Sequence, residues 1–281
     1  MSEASGLARA KINLTLHVTG QRADGYHLLD SLVVFADLGD QVTLRDASEL
    51  SLSITGPQAE ALAVAPDNLV LRAARMMGVA DAAITLDKRL PVASGMGGGS
   101  SDAAVTLRLL AKKTGQALPT VDQAMRLGAD LPVCLAAPAP ARMRGLGERV
   151  DAVQGVPALW LLLVNPGQGL STPAVFKALE NKDNPAMPER LPGWDNARDL
   201  CHWLASQRND LEAPARRMIP DVGRALGALS AQTGCLLARM TGSGATCFGV
   251  FETEGDLRHA AANMARPGWF TAPTRSAGSL S

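Results

Sequence analysis

Between Pro91 and Ala104 the chain reads PVASGMGGGSSDAA, with Gly95, Gly97, Gly98 and Gly99 inside five positions. Residues without a Cβ can turn through positive φ and let the backbone come close to another molecule. Ser100, Ser101 and an alanine-rich run follow, which predicts a helix whose unpaired first amides and positive dipole end face the turn. Such a turn seats an anion, read here as a nucleotide polyphosphate held by Pro91, Val92, Ala93, Ser94, Gly95, Met96, Gly97, Gly98, Gly99, Ser100 and Ser101. A flexible surface loop is the competing reading. The strand-like alternation of Ile84 and Leu86 before the loop and the helical pattern after it argue against that. Transfer of a γ-phosphoryl group needs alignment, neutralised charge and an acceptor for the proton of the attacking hydroxyl. Lys11 and Asp130 have side chains suited to the last two needs.

The loop belongs to none of the three commonest phosphate-binding classes. A Walker loop needs Gly-Lys before Ser or Thr, and the chain has no Gly-Lys dipeptide. The dinucleotide fingerprint needs a third glycine where Ser100 stands. HRD and DFG, which accompany a protein-kinase glycine loop, are absent.

The settings of the other candidates leave alternatives open. Ala10 to Val18 alternates, with Ile12, Leu14, Leu16 and Val18 apolar and Lys11, Asn13, Thr15 and His17 between them. Period two predicts a strand with one buried face, so Lys11 and Asn13 project from the same side, roughly 7 Å apart. A solvated strand face explains that spacing equally well. Gln21 to His27 reads as a turn carrying Tyr26, the only tyrosine, and His27. The two rings could sandwich a flat ligand and bond its edge, or pack in a core. Asp130 lies in Gly128-Ala129-Asp130-Leu131-Pro132. There glycine ends one helix and proline keeps another from starting at once, which leaves a carboxylate that either caps the next turn or does chemistry.

The remaining elements place these residues. Short strands are expected at Ser31 to Phe35, Gln41 to Arg45 and Leu50 to Ile54. A helix capped by Asn68 runs to about Met77, and a strand from Ala83 to Lys88 leads into the loop. The helix after the loop runs to about Lys113, and a short helix spans Thr120 to Gly128. Arg142 to Glu148 suggests a hairpin, and the apolar run Ala158 to Val164 a strand covered on both faces. The chain divides there into residues 1–155 and 156–281. Ser171-Thr172-Pro173 caps a helix with Phe176 one turn inside, as core or ligand contact. Asn181 to Asp195 reads as an exposed, mobile loop. Helices resume near Ala197, Leu211, Asp221 and Glu254, with strands Leu236 to Met240, Cys247 to Phe251 and one near Trp269. Thr241 to Ala245, with Gly242 and Ser243, is by default a tight hairpin, and a polar tail without structure closes the chain.

Composition bounds the classes. Lys and Arg number 27 and Asp and Glu 27, so no global field recruits nucleic acid or an anionic membrane. No apolar run reaches the roughly 20 residues that cross a bilayer, and the first residues lack a signal peptide's apolar core, so a cytoplasmic protein is expected. Cys134, Cys201, Cys235 and Cys247 show no paired spacing, so neither a disulfide framework nor a metal cluster is expected.

PVASGMGGGSSDAA resembles the central motif of the GHMP kinases, the superfamily of galactokinase, homoserine kinase and mevalonate kinase, with Met96 in place of the usual leucine. Asp102 departs from the small residue frequent there, and its carboxylate is expected to point away from phosphate. AKINLTLHVTGQRADGYHLLDSL resembles the N-terminal signature of the GHMP branch that phosphorylates a cytidine diphosphate derivative of methylerythritol, in the non-mevalonate isoprenoid pathway. Gly-Ala-Asp-Leu-Pro and Thr241-Gly242-Ser243-Gly244-Ala245 resemble two further motifs. The resemblance implies a two-domain α+β fold with the active site in the interdomain cleft, and ATP with Mg2+ as cofactors. It implies Lys11 and Asp130 as catalytic residues, Asn68 near adenine, and Asn13, Tyr26, His27, Thr172, Phe176, Gly242 and Ser243 at the substrate. Tyr26 and Phe176 would face each other across cytosine. A GHMP kinase for homoserine or a sugar and a non-catalytic nucleotide-binding relative are the alternatives.

Overall fold

Alternating apolar residues near the N-terminus drive the pairing of long strands around one central strand. The structure is a computed structural model and describes residues 3–62 and 65–278. Strands β1 (Glu3–Asn13), β2 (His17–Gln21), β3 (His27–Asp46), β4 (Ser51–Thr55), β5 (Ala82–Asp87), β6 (Ala141–Gly145) and β7 (Arg149–Ala152) form a seven-stranded sheet. Its order is β4-β5-β3-β6-β7, with β1 and β2 also paired to β3, and only β4 and β5 run parallel. Helices α1 (Leu69–Met76), α2 (Gly98–Thr114), α3 (Val121–Leu127) and α4 (Leu131–Leu135) share a core with it, where Val70, Leu107 and Val133 meet Phe35, Val42 and Ile84.

The C-terminal half holds a four-stranded antiparallel sheet, β11-β8-β10-β9, from β8 (Trp160–Asn165), β9 (Cys235–Met240), β10 (Cys247–Phe251) and β11 (Phe270–Arg275). With it pack α5 (Thr172–Lys177), α6 (Ala197–Ala205), α7 (Glu212–Met218), α8 (Pro220–Ser230) and α9 (Glu254–Met264). Ala10, Ile12 and Leu14 share a core with Leu161, Leu163, Phe248 and Val250. The side of β1 that carries Lys11 and Asn13 is also buried. Both faces are therefore covered, where the alternation predicted one.

Several expectations change for physical reasons. The Ala10 to Val18 strand breaks after Asn13. Leu16 N–H donates to Arg208 O and Thr15 Oγ1 accepts from Leu32 N–H, so this backbone leaves the ladder and sends Leu16 and Val18 into a separate core. Ser31 to Phe35 and Gln41 to Arg45 are one strand, because a bulge between Arg9 and Lys11 absorbs the intervening turn. Gly39 is required there, since a Cβ would overlap the Ala8 carbonyl. Pro132 does not delay a helix: α4 opens at Leu131, and proline is tolerated in a first turn, where its missing N–H has no partner to lose. Ser171 makes no side-chain cap bond at α5. The strand expected near Trp269 is β11, and the residues just after it are held rather than loose: Ser276 N–H donates to Leu159 O and Ala277 N–H to Phe35 O, while residues 279–281 lie outside the described residues.

The Asn181 to Asp195 segment is irregular, as its prolines require, but it is pinned rather than loose. Asp30 and Arg142, both buried, pair through two bonds of 2.8 Å. Arg142 also donates to the carbonyls of Met187, Pro188 and Glu189, and Met187 N–H donates to Asp30. His17 closes the same contact, with Nδ1 3.1 Å from Pro185 O and Nε2 accepting from Arg208 N–H. Burial, and the Arg208 charge beside it, lower the His17 pKa. The folded state therefore binds less proton than the unfolded chain, and stability from this residue is lost as pH falls below about 6.5. Asp102, whose pKa is raised, acts in the opposite sense over part of that range. Urea midpoints at pH 7.5 and 5.5 for the parent and His17→Gln isolate the histidine: the parent is expected to lose more on acidification than the variant.

Candidate active site

The loop that opens α2 is held from both halves of the molecule. Gly95 (φ 78°) and Gly97 (φ 63°) take left-handed conformations that glycine adopts without strain. Lys11 N–H donates to Met96 O at 2.9 Å, and Thr246 N–H donates to Ser94 O at 3.2 Å. Met96 is fully buried in the core shared by both sheets and anchors the loop rather than lining the cavity. A Cβ on Gly95 would come within 2.5 Å of Thr241 O and 2.8 Å of Gly244 N, so the two glycine turns pack backbone to backbone. The amides of Gly98, Gly99 and Ser100 belong to the first turn of α2, where no helical acceptor exists. Among the described residues none of them donates to another part of the chain. These free donors open on a cavity of about 710 Å³, a size that accommodates a cofactor or small ligand.

The cavity gathers most of the residues singled out in the sequence. Lys11, Asn13, Asn68, Pro91, Val92, Ala93, Ser94, Gly95, Gly97, Gly98, Gly99, Ser100, Asp130, Thr172, Phe176, Gly242 and Ser243 all line it. Ser101 does not; it is buried beneath, with Oγ 3.4 Å from Cys134 Sγ. Asn68 uses its side-chain oxygen to cap α1 through Val70 N–H. Thr172 Oγ1 and Ser243 Oγ are 2.7 Å apart and link α5 to the second glycine turn.

Lys11 Nζ and Asp130 Oδ1 are 2.7 Å apart. The lysine is nearly buried and the carboxylate side chain 34% exposed, facing the cavity. Asp130 occupies the residue before α4 yet makes no capping bond, so its carboxylate is free of the structural role that the sequence left open. On the other side of Lys11, Asn13 donates through Nδ2 to Ser31 Oγ at 2.7 Å, which fixes its amide.

One expectation fails at the aromatic end. Tyr26 is 65% exposed at the tip of its turn and does not face Phe176. The ring pair that forms is His27 with Phe176, centroids 4.7 Å apart and nearly parallel. Burial and the Lys182 charge lower the His27 pKa, which favours a neutral imidazole in that stack. The turn offers only the small Ala23 as apolar cover, itself exposed, and the exposed β2–β3 corner leaves the ring in solvent.

A buried ion cluster went unnoticed in the sequence. Lys88 Nζ is 2.5 Å from Asp40 Oδ2 and 2.8 Å from Asp102 Oδ2, all three residues being buried under the loop. Asp40 also accepts from the N–H groups of Arg89 and Leu90, where the chain enters the loop. Asp102, whose carboxylate was expected to point away from phosphate, pairs with Lys88 but still lines the cavity. The three residues are 48 and 14 positions apart, so only their charge in apolar surroundings could have marked them. Asn209 Nδ2 donates to Met240 O and Gly242 O and holds the second glycine turn.

Comparison with known proteins identifies the family. The GHMP kinases N terminal domain family matches residues 68–137 and the GHMP kinases C terminal family residues 184–268. A 4-diphosphocytidyl-2-C-methyl-D-erythritol kinase of Cereibacter sphaeroides is 59% identical over 99% of this chain and all of its own length. One from Dinoroseobacter shibae is 53% identical, over 96% of this chain and 94% of its own. A crystal structure of 4-(cytidine 5'-diphospho)-2C-methyl-D-erythritol kinase superposes with TM-score 0.77 at 30% identity, covering 98% of this chain and all of that one. Homoserine kinase from Cytophaga hutchinsonii, at 17% identity and TM-score 0.64, shares the fold alone. The chain belongs to the GHMP kinases and, within them, to the family of 4-diphosphocytidyl-2-C-methyl-D-erythritol kinases.

Proposed function

We propose that this chain transfers the γ-phosphoryl group of ATP to the 2-hydroxyl of 4-diphosphocytidyl-2-C-methyl-D-erythritol, a step of the non-mevalonate isoprenoid pathway carried out in the cytoplasm. The observation that carries the reading is the 2.7 Å Lys11–Asp130 pair on the wall of a cavity whose other wall is a turn of unpaired amides. The amides of Gly98, Gly99 and Ser100 receive phosphate oxygens, assisted by the α2 dipole. Asp130 takes the proton of the attacking hydroxyl, and Lys11 offsets charge growing on the transferring group. Asn13, Thr172, Gly242 and Ser243 orient the acceptor, with Asn68 at the nucleoside end. The catalytic cleft lies between a domain of residues 1–155 and one of 156–281.

His27 and Phe176 form the cytosine site, with the base taking the place of one partner in their stack; Tyr26 closes over it only if its turn moves inward. Among the described residues no group of three or more His, Cys, Asp or Glu converges on a metal position. Mg2+ would arrive with the nucleotide, held by its phosphates and water. The ion would spread charge over the β- and γ-oxygens, while the chain supplies alignment and proton transfer.

ATP consumption measured with 4-diphosphocytidyl-2-C-methyl-D-erythritol, homoserine and galactose tests the reading. Turnover is expected with the first alone, inhibited by cytidine monophosphate; turnover with homoserine or galactose instead overturns the substrate assignment. Phe176→Ala is expected to raise KM for the cytidine substrate on the order of tenfold through lost stacking, with KM for ATP unchanged.

A further inference from the structure

We propose that Lys88 is a phosphate-binding residue, a second cation that reaches the nucleotide polyphosphate through the space left open by Gly98. The proposal rests on the nucleotide reading of the cavity. An ammonium has three N–H donors. Asp40 and Asp102 take two of those on Lys88, and among the described residues the third has no protein acceptor. Lys88 and Gly98 both line the cavity. A Cβ on Gly98 would stand 3.1 Å from Lys88 Nζ, so a side chain there would crowd the nearly buried ammonium at the point where both residues meet the cavity. Gly98 has an ordinary helical φ and needs no glycine for its backbone, which leaves this opening as the feature that its missing side chain provides.

The two carboxylates explain why such a charge can be kept in a buried place. Lysine in an apolar site tends to lose its proton unless it is paired. Here Asp40 and Asp102 together raise the Lys88 pKa against the effect of burial, so the ammonium stays charged. Asp40 is itself held by the Arg89 and Leu90 amides. Asp102 is held less completely: its Oδ1 is buried without a partner. With both carboxylates ionised the cluster carries one net negative charge, which opposes an arriving polyphosphate. Removing the charge of Asp102 while keeping Lys88 should therefore strengthen nucleotide binding, a sign opposite to that of an ordinary loss of structure.

Titration calorimetry with ADP, a non-hydrolysable ATP analogue and adenosine separates these cases, using the parent, Asp102→Asn and the double variant Lys88→Met with Asp102→Asn at pH 8.5. Asp102→Asn is expected to bind ADP several-fold more tightly than the parent. The double variant should bind it on the order of tenfold more weakly than Asp102→Asn, the effect of losing one charge-assisted hydrogen bond. Adenosine, which has no phosphate, should bind all three equally. Asp102→Asn binding ADP no more tightly than the parent overturns the proposal, and so does a parallel loss of ADP and adenosine affinity in the double variant. If the double variant does not fold, Asp102→Asn alone decides. Failure of the parent itself to bind ADP would instead remove the nucleotide reading on which Lys88 depends.

Discussion

Asp130→Asn is expected to lower kcat by roughly 10³-fold, within the usual range for loss of a positioned general base. The substitution keeps the volume and polarity of the side chain at the start of α4. Its carboxylate caps nothing, so the helix should not notice the change. Affinity for ADP should stay near that of the parent, because the amides of Gly98, Gly99 and Ser100 are untouched. Lys11→Met is expected to fall by a similar factor. If both act on one transition state, the double variant should lose far less than the product of the two single effects. Steady-state kinetics at saturating ATP would decide: Asp130→Asn turning over within a few-fold of the parent would leave Asp130 as an electrostatic neighbour of Lys11 and nothing more.

Arg142→Met should have the largest effect on stability, a loss of about 3–5 kcal/mol, because it strands a carboxylate that has almost no access to water. Asp30 would keep Met187 N–H but lose both guanidinium bonds. The carbonyls of residues 187–189 would lose their common donor at the same time. A melting temperature lower by about 10 °C is the expected reading for a chain of this size. Replacing both partners, Asp30→Leu with Arg142→Met, should recover much of the loss, since no buried charge is left uncompensated. Equal melting temperatures for the parent and Arg142→Met would show that the 181–195 segment is held by its apolar anchors Met187 and Trp194 alone.

Much of the architecture is visible in local patterns. Asn68, Thr120 and Thr253 cap their helices through side-chain oxygens, and Gly115 ends α2 in a left-handed conformation. These are interactions between residues a few positions apart, and such signals survive in a linear reading. The glycine turn before α2 belongs to the same class: its anion-binding character comes from missing side chains and a helix start, both set by neighbouring residues. What local pattern could not convey was the surroundings of the strands. The alternation of Lys11 and Asn13 with apolar residues fits a solvated face as well as a catalytic one, and only the second sheet and the glycine loop make it a buried wall.

The chain's order of residues alone therefore determined several helix ends, those capped by Asn68 and Thr120 among them, the phosphate turn and, by resemblance, the kind of enzyme. Tertiary structure decided which charges meet: Lys11 with Asp130 across 119 positions, Lys88 with Asp40 and Asp102, Asp30 with Arg142, and His27 rather than Tyr26 against Phe176. The reason is range. Backbone conformation answers to neighbours within a turn or two. The pairing of buried charges and rings answers to the whole packed volume, where each desolvated group must find its partner wherever in the chain that partner lies.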